Sequence, residues 1–274
     1  NDLKELLSFI NFFSPSIFFH VFLQNYLNQR SFDKEYKKIK TKFNKNSYIT
    51  LIQNCKNLIS KLYYKKKTFW TEYHAIKPYS NQANNSKKKI VAEYISKNKP
   101  NKVVDLGCNN GEYSFISLEN GASQVLGYEI DQNLVNESYK YAKGKNLNFI
   151  PIVFDALNPS TNSGWNENER QGFSKRAKAD ITLSLAFIHH ICIANNVPLD
   201  YFLDFMINIS PKGLLEFVPK EDPMVQKMIK FKGDIFPEYN LKNLINLISQ
   251  KGGRVLRSHN IDNSNRSLIE YDFS

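Results

Sequence analysis

The stretch Val103-Val104-Asp105-Leu106-Gly107-Cys108-Asn109-Asn110-Gly111-Glu112-Tyr113-Ser114 decides the fold of this 274-residue chain. An apolar run that ends in an acid, followed by a glycine-bearing turn and a helix start, is typical of a strand–turn–helix unit that binds a nucleoside. Gly107 and Gly111 let the backbone bend sharply and approach a ligand, and Asn109 is the non-glycine residue type that best tolerates a positive φ.

Two acids in this stretch indicate the charge of the ligand. Asp105 and Glu112 would repel a phosphate, and the stretch has neither the Gly-Lys-Ser/Thr ending of a P-loop nor a GxGxxG pattern. A cationic or neutral nucleoside fits better. Asp105 has two interpretations: it accepts from a ligand ammonium, or it orders the turn by accepting from backbone N–H groups.

The next two apolar runs continue an alternating β/α pattern. Ala122 to Asp131 predicts a second strand, and an acid about 20 residues beyond the glycine turn, here Glu129, is placed to bind ribose hydroxyls. Asp131 is expected to cap the helix Asn133 to Lys143. A third strand, Asn148 to Phe154, ends at Asp155-Ala156.

The motif D-L-G-C-N-N-G resembles the first motif, D/E-x-G-x-G-x-G, of class I S-adenosylmethionine (SAM) dependent methyltransferases, and departs from it in having Asn109 at the middle glycine. The resemblance implies that SAM is the cofactor. It assigns the methionine end to the first motif, the ribose to Glu129 and the adenine to the acid after the third strand. The implied cofactor-binding residues are Asp105, Gly107, Asn109, Gly111, Glu129, Asp155, Ala156 and Ser184. The alternative is another Rossmann-like protein with an ordinary strand-to-helix turn.

The fold implied is α/β: a doubly wound, Rossmann-like, seven-stranded sheet closed by an antiparallel hairpin near residues 254–258 and 267–271. A fifth strand is expected over residues 214–218. Residues 1–82 are predicted to form a basic helical N-terminal extension and residues 83–274 the SAM-binding domain, with Asn81 to Asn85 as the joint before a helix.

The stretch of residues 179–191 predicts a fourth strand and carries a paired histidine just past the strand's C-terminal end, at the edge where open α/β sheets bind ligands. His189 and His190 are the catalytic candidates, since a neutral imidazole there can take the proton of an oxygen nucleophile. The alternative is that both histidines are structural: one packs under the loop, and the other caps backbone groups. The chain has Ser-Leu-Ala-Phe where amine-methylating relatives carry Asn/Asp-Pro-Pro-Tyr/Phe, which favours an oxygen acceptor, a hydroxyl or a carboxyl.

Candidate substrate residues lie before the domain, in a later loop and in or just after the predicted fifth strand: Trp70, Tyr73, Trp165, Glu216 and Lys220. Trp70 and Tyr73 can equally be part of the core. Trp165 belongs to a long polar loop over residues 159–178, which suits a lid. Glu216 and Lys220 are expected to form a salt bridge with each other or to contact substrate.

At a finer grain, five segments resemble the NoeA-type nodulation-associated methyltransferases and their bacterial relatives: D-L-G-C-N-N-G-E-Y-S, G-W-x-x-x-E-R, A-F-I-H-H, E-F-V-P-K-x-D-P-M-V and D-I-F-P-E-Y. The similarity runs from about Ser60 to the C-terminus and, more faintly, over the segment Phe12 to Leu27. The association of that group with decorated glycans implies a saccharide hydroxyl as one candidate acceptor, beside small metabolites.

The net charge of +11 is concentrated in residues 1–100, which hold 19 Lys/Arg against 6 Asp/Glu. The clusters Lys37-Lys38, Lys65 to Lys67 and Lys87 to Lys89 indicate either a footprint for RNA or a solvated helix face. The scarcity of Arg favours the solvated face, so nucleic acid is the less favoured partner. A second alternative is a non-catalytic binding subunit with this fold.

Three scattered cysteines give neither a disulfide framework nor a metal-ligand spacing, so a cytoplasmic location and no metal are expected. The apolar run Phe9 to Leu23 is interrupted by polar residues and is too short to span a membrane. The chain begins with Asn, which is compatible with a fragment of a longer protein. The oligomeric state is left open.

Overall fold

The computed structural model describes residue 13 and residues 15–23, 25–26, 44–61 and 80–274. The chain divides into two compact units, Asn1–Lys65 and Lys66–Ser274. In the first unit a short helix, Pro15–Ile17, precedes a π-helix, Phe18–Leu23, and helix α1 spans Lys45–Lys61. The domain boundary expected between residues 82 and 83 stays a prediction.

The second unit is built on one seven-stranded sheet of order β3-β2-β1-β4-β5-β7-β6. Strands β1 to β5 pair in parallel, and β7 is antiparallel to both β5 and β6. This confirms the doubly wound, Rossmann-like sheet with a closing hairpin. The strands are β1 Lys102–Leu106, β2 Gln124–Glu129, β3 Phe149–Val153, β4 Ile181–Ser184, β5 Lys212–Phe217, β6 Arg254–Asn260 and β7 Ser267–Asp272.

Helices cover both faces of the sheet, and for this reason the central strands are apolar on both sides. Val104 and Phe202 belong to the core on one face, and Val91, Ile95 and Val103 to the core on the other. None of the helices in the described ranges is both long and apolar enough to cross a membrane. The helices of this unit that exceed one or two turns are α2 Asn81–Asn98, α3 Glu112–Glu119, α4 Gln132–Gly144, α5 Leu199–Ile209, α6 Pro223–Lys232 and α7 Leu241–Gln250.

Helix α2 begins earlier than the sequence indicated. Ser80 caps it, since its side chain accepts from the backbone N–H of Ala83 at 3.1 Å. The joint expected at Asn81 to Asn85 is therefore wrong, because these residues form the first turn of the helix. One face of α2 is buried at a four-residue spacing through Ala83, Lys87 and Val91, so a lysine occupies a core position.

Candidate active site

A cavity of about 630 Å³ opens at the carboxyl ends of the parallel strands, next to the point where the strand order reverses between β1 and β4. This is the place where open α/β sheets bind ligands. The cavity brings together eight residues that the sequence singled out: Asp105, Gly107, Asn109, Glu129, Asp155, Ala156, His189 and His190.

The turn after β1 has the backbone that its glycines predicted. Gly107, Asn109 and Gly111 have φ of 67°, 52° and 85°. The backbone N–H of Gly107 donates to the carbonyl of Tyr128 at 2.8 Å, which ties the turn to β2. A Cβ on Gly107 would come within 2.9 Å of the Phe187 ring, so both conformation and space require glycine there.

Glu129 organises this turn. Its Oε2 accepts from the backbone N–H of Asn109 at 3.0 Å, and its Oε1 accepts from that of Asp131 at 2.9 Å. Burial raises the pKa of Glu129, while these backbone hydrogen bonds lower it. A carboxylate has about four lone-pair sites, so Glu129 keeps acceptor capacity for a ligand hydroxyl. Asp131 caps α4, as predicted, by accepting from the backbone N–H of Asn133 at 2.8 Å.

Asp105 is buried at the tip of β1 and lines the cavity. Its Oδ2 accepts from the Ser114 hydroxyl at 2.7 Å. Burial raises the pKa of Asp105 to about 7, although the Ser114 hydrogen bond and the Lys87 ammonium oppose the shift. The backbone N–H groups of residues 107–109 donate to Tyr128 and Glu129, and those of the next two residues donate to Asn109 and Cys108. These partners favour the interpretation of Asp105 as a ligand acceptor.

The other expected cofactor residues differ in position. Asp155 and Ala156 line the cavity after β3, and Oδ1 of Asp155 accepts from the backbone N–H of Leu157 at 2.9 Å. Gly111 lies behind the cavity, where an added Cβ would meet the Phe149 ring at 2.9 Å. Ser184 is fully buried in β4, away from the lining. Only Gly111 and Ser184 of the predicted cofactor set therefore lie outside the cavity.

The histidine pair lines the cavity beyond β4, with ring centroids 4.1 Å apart. His189 is 1% exposed, and its Nδ1 has no hydrogen-bond partner among the residues that the structure describes. Burial lowers the pKa of His189 well below its ordinary value, and the His190, Arg266 and Lys87 side chains add to the effect. Burial and Arg266 lower the pKa of His190 to about 4. Both imidazoles are therefore neutral at neutral pH.

The backbone between β4 and the histidines is strained. Ala186 has a φ of 50°, a conformation that costs a residue with a Cβ about 1–2 kcal/mol. Ala186 and Phe187 both line the cavity, and Phe187 is the residue that closes over Gly107. Strain of this kind persists where the surrounding structure fixes the backbone, as at ligand sites.

The expected substrate residues are not in the described lining of the cavity. Trp165 is 85% exposed. The expected Glu216–Lys220 salt bridge is wrong: Oε2 of Glu216 lies 2.7 Å from Nζ of Lys87, and Nζ of Lys220 pairs with Asp234 at 2.8 Å. Glu216 is buried within β5, whereas Lys220 follows the end of the strand. Trp70 and Tyr73 lie outside the described residues.

Sequence reasoning missed two cations that line the cavity, Lys87 and Arg266. The burial of Lys87 could have been predicted from its spacing, because it stands four residues from both Ala83 and Val91 on the buried face of α2. The lysine was assigned to a solvated Lys87–Lys89 cluster instead. No sequence feature predicted the position of Arg266, since only the tertiary fold brings the turn between β6 and β7 to this cavity.

One curated relative shares sequence with the whole chain. Nodulation protein NoeA of Rhizobium meliloti (strain 1021) is 36% identical over 280 residues, which cover 100% of this chain and 58% of the relative. The chain therefore spans little more than half the length of NoeA. No family model matches the sequence.

Two solved methyltransferase structures match much of the chain at low sequence identity. The N-methyltransferase NodS of Bradyrhizobium japonicum WM9 matches with a TM-score of 0.50 and 8% identity, over 70% of this chain and 97% of NodS. The magnesium protoporphyrin IX methyltransferase ChlM of Synechocystis PCC 6803 matches with a TM-score of 0.49 and 14% identity, over 86% of this chain and 100% of ChlM. The sheet order and the likeness to NodS identify the fold as that of class I methyltransferases.

Proposed function

We propose that this chain is a SAM-dependent methyltransferase. It has the class I methyltransferase fold, and all of its residues align with part of NoeA. One observation carries the proposal: the tips of β1, β2 and the segment after β3 bring Asp105, Glu129 and Asp155 into one cavity with a glycine turn. A cationic nucleoside suits this acidic end, and SAM carries a sulfonium and an ammonium.

The three acids divide the cofactor between them. Asp105, which already accepts from Ser114 at 2.7 Å, would hold the ammonium of the methionine part. Glu129, fixed by Asn109 and Asp131, would accept from the ribose hydroxyls. Asp155 and Ala156 would lie against the adenine. The positive φ of Gly107 and Asn109 lets the backbone approach the ligand closely.

Bound SAM supplies a strongly electrophilic methyl group, so the protein's contribution is mainly to place the acceptor in line and exclude water. The acceptor atom we propose is an oxygen, of a hydroxyl or a carboxyl group. With a hydroxyl acceptor, the neutral His189 or His190 would receive the proton as the methyl group is transferred. A carboxylate acceptor needs no base, because it is already ionised.

The acceptor molecule we propose is a small metabolite or a saccharide, in a cytoplasmic setting that suits the free thiols of Cys55, Cys108 and Cys192. RNA is less favoured, because Lys87 of the Lys87–Lys89 cluster is buried. The non-catalytic alternative is also less favoured, since a binding subunit needs neither the three acids nor a cavity that joins them to the histidines.

Transfer of tritium from [methyl-³H]SAM to small hydroxyl compounds, carboxyl compounds and saccharides tests this function. The treatment of labelled product with alkali separates the acceptor types, since methyl esters release methanol and methyl ethers are stable. His189→Asn is expected to slow an ether-forming reaction by about 10²-fold or more and to affect an ester-forming one much less. Label transfer to RNA alone would contradict the proposed acceptor class.

A further inference from the structure

Among the residues that the structure describes, four acids and two cations line the cavity. Asp105, Glu129 and Asp155 lie at or just past the ends of β1, β2 and β3, and the fourth acid, Glu112 at the start of α3, pairs with Lys88. Lys87 of α2 and Arg266, which immediately precedes β7, also line the cavity and carry the opposite charge. The sulfonium and ammonium of SAM suit the acids, whereas Lys87 and Arg266 suit an anionic group, either of the acceptor or of the cofactor's own amino-acid part.

The two cations lie next to each other because they share one carboxylate. Nζ of Lys87 is 2.7 Å from Oε2 of Glu216, and Nη1 of Arg266 is 3.3 Å from Oε1 of the same residue. Nε of Arg266 also donates to Oδ2 of Asp222 at 2.7 Å. Glu216 and Asp222 are buried and are not part of the cavity lining. Of these four paired residues, Lys87 and Arg266 contribute to the cavity lining, and their two carboxylate partners do not.

The histidine pair adds a second, independent observation. Nδ1 of His189 is buried in the cavity wall without a hydrogen-bond partner among the described residues. A buried polar atom left unpaired costs about 1–3 kcal/mol, so a ligand group that bonds to it would recover that energy. The fields of Lys87 and Arg266 reach this imidazole, since both lower its pKa.

We propose that Lys87 and Arg266, beside His189, form a subsite for a carboxylate group of the methyl acceptor. This inference rests on the proposed function and narrows its substrate class to carboxylate-bearing molecules. Buried cations that are already paired with carboxylates suit a monoanion, because charge-assisted hydrogen bonds to a carboxylate are strong and short. A phosphate dianion would add a second negative charge to a cavity that four of the described acids already line.

The test uses the full chain saturated with S-adenosylhomocysteine and two small probes of matched shape, fluoroacetate and fluoroacetamide, followed by ¹⁹F NMR. Fluoroacetate is expected to bind at least about tenfold more tightly than the neutral amide, because only the carboxylate pairs with the two cations. Inorganic phosphate is titrated as a competitor.

Two double variants each remove one cation together with one of its counter-ions, so that no buried charge is stranded: Lys87→Met/Glu216→Gln and Arg266→Gln/Asp222→Asn. Each is expected to abolish most of the preference for fluoroacetate and to leave S-adenosylhomocysteine affinity within about twofold. Lys89→Met, on the exposed side of α2, is the control and is expected to change neither affinity. Thermal unfolding of each variant shows that it is folded.

Three results would overturn the subsite. The first is equal or absent binding of the two probes, and the second is tighter binding of phosphate than of fluoroacetate. The third is a loss of S-adenosylhomocysteine affinity in the double variants with unchanged affinity for 5′-methylthioadenosine, which lacks the amino-acid part; it would assign the cations to the cofactor's own carboxylate. Failure of the wild-type chain to bind S-adenosylhomocysteine would instead overturn the proposed function, and this inference with it.

Discussion

The backbone N–H of Asn109 donates to Oε2 of Glu129 over 3.0 Å, which fixes the acid at the tip of β2 against the glycine turn after β1. The turn and the acid are therefore one unit, although 20 residues separate them in sequence. A substitution in either member is expected to disturb the other.

Gly107→Ala is the first test of the turn. The alanine would have to adopt a φ of 67° with its Cβ 2.9 Å from the Phe187 ring. We expect a loss of about 1–3 kcal/mol in the free energy of unfolding, together with weaker cofactor binding. The matched control is Gly144→Ala, where an added Cβ meets nothing within 4 Å. Equal stability of the two variants in urea unfolding would contradict the account of the turn.

The buried ion cluster gives a second prediction. Glu216→Gln leaves the buried Lys87 ammonium without its 2.7 Å partner, so we expect the free energy of unfolding to fall by about 3–5 kcal/mol. Lys87→Met/Glu216→Gln should recover much of the loss. Glu93→Gln removes the exposed pair with Lys89 on the same helix and should cost less than about 1 kcal/mol. A double variant no more stable than Glu216→Gln would show that the pair is not coupled.

Asp105 makes stability and binding depend on pH in opposite directions. Its pKa is raised from 3.8 to about 7 by burial, so the folded protein retains a proton that the unfolded chain has released. The contribution of Asp105 to stability is therefore largest near pH 4 and is lost as the pH rises towards 7. An ammonium ligand needs the ionised form, so its affinity should rise over the same range.

Asp105→Asn should remove both dependences. Urea unfolding at pH 5 and pH 7, compared between variant and wild type, isolates the stability term, because the other titrating groups cancel in the difference. Calorimetry with S-adenosylhomocysteine at the same two pH values isolates the binding term. Identical pH profiles for the two proteins would refute the titration of Asp105 in this window.

His190 gives a stability effect of the opposite sign. Its pKa is lowered from 6.5 to about 4, mainly by burial and further by Arg266. Between these two pH values the unfolded chain is therefore protonated at His190 and the folded protein is not. The contribution of His190 is fully present above about pH 6.5 and is lost as the pH falls towards 4. His190→Asn should therefore lose less stability than the wild type between pH 6.5 and pH 4.5. An equal fall of the thermal midpoint between pH 6.5 and pH 4.5 in the variant and the wild type would contradict this.

The acidic end of the cavity was predictable because its signals are local. Each of Asp105, Glu129 and Asp155 follows an apolar strand directly, and parallel strands bring their carboxyl ends to one edge. The positive φ of Gly107 and Asn109 was predictable from their residue types. The capping role of Asp131 was readable from its place before α4.

The cationic end of the cavity was not predictable, because its contacts join distant segments. Lys87, Glu216 and Arg266 meet across a helix, a strand and a turn, and nothing in their spacing pairs them. Glu216 and Lys220 were matched by proximity in sequence, but the end of β5 separates a buried position from a loop. Charge runs such as Lys87 to Lys89 also conceal which member of the run lies on the buried face.

The central claim is that the cavity binds SAM through the acids at its strand tips. Calorimetric titration of the chain with SAM and with S-adenosylhomocysteine, beside Glu129→Ala and the exposed control Glu137→Ala, tests it most directly. The account predicts micromolar binding that Glu129→Ala weakens by about tenfold or more and Glu137→Ala leaves unchanged. Absence of binding to the wild-type chain, or equal binding by all three proteins, would contradict it.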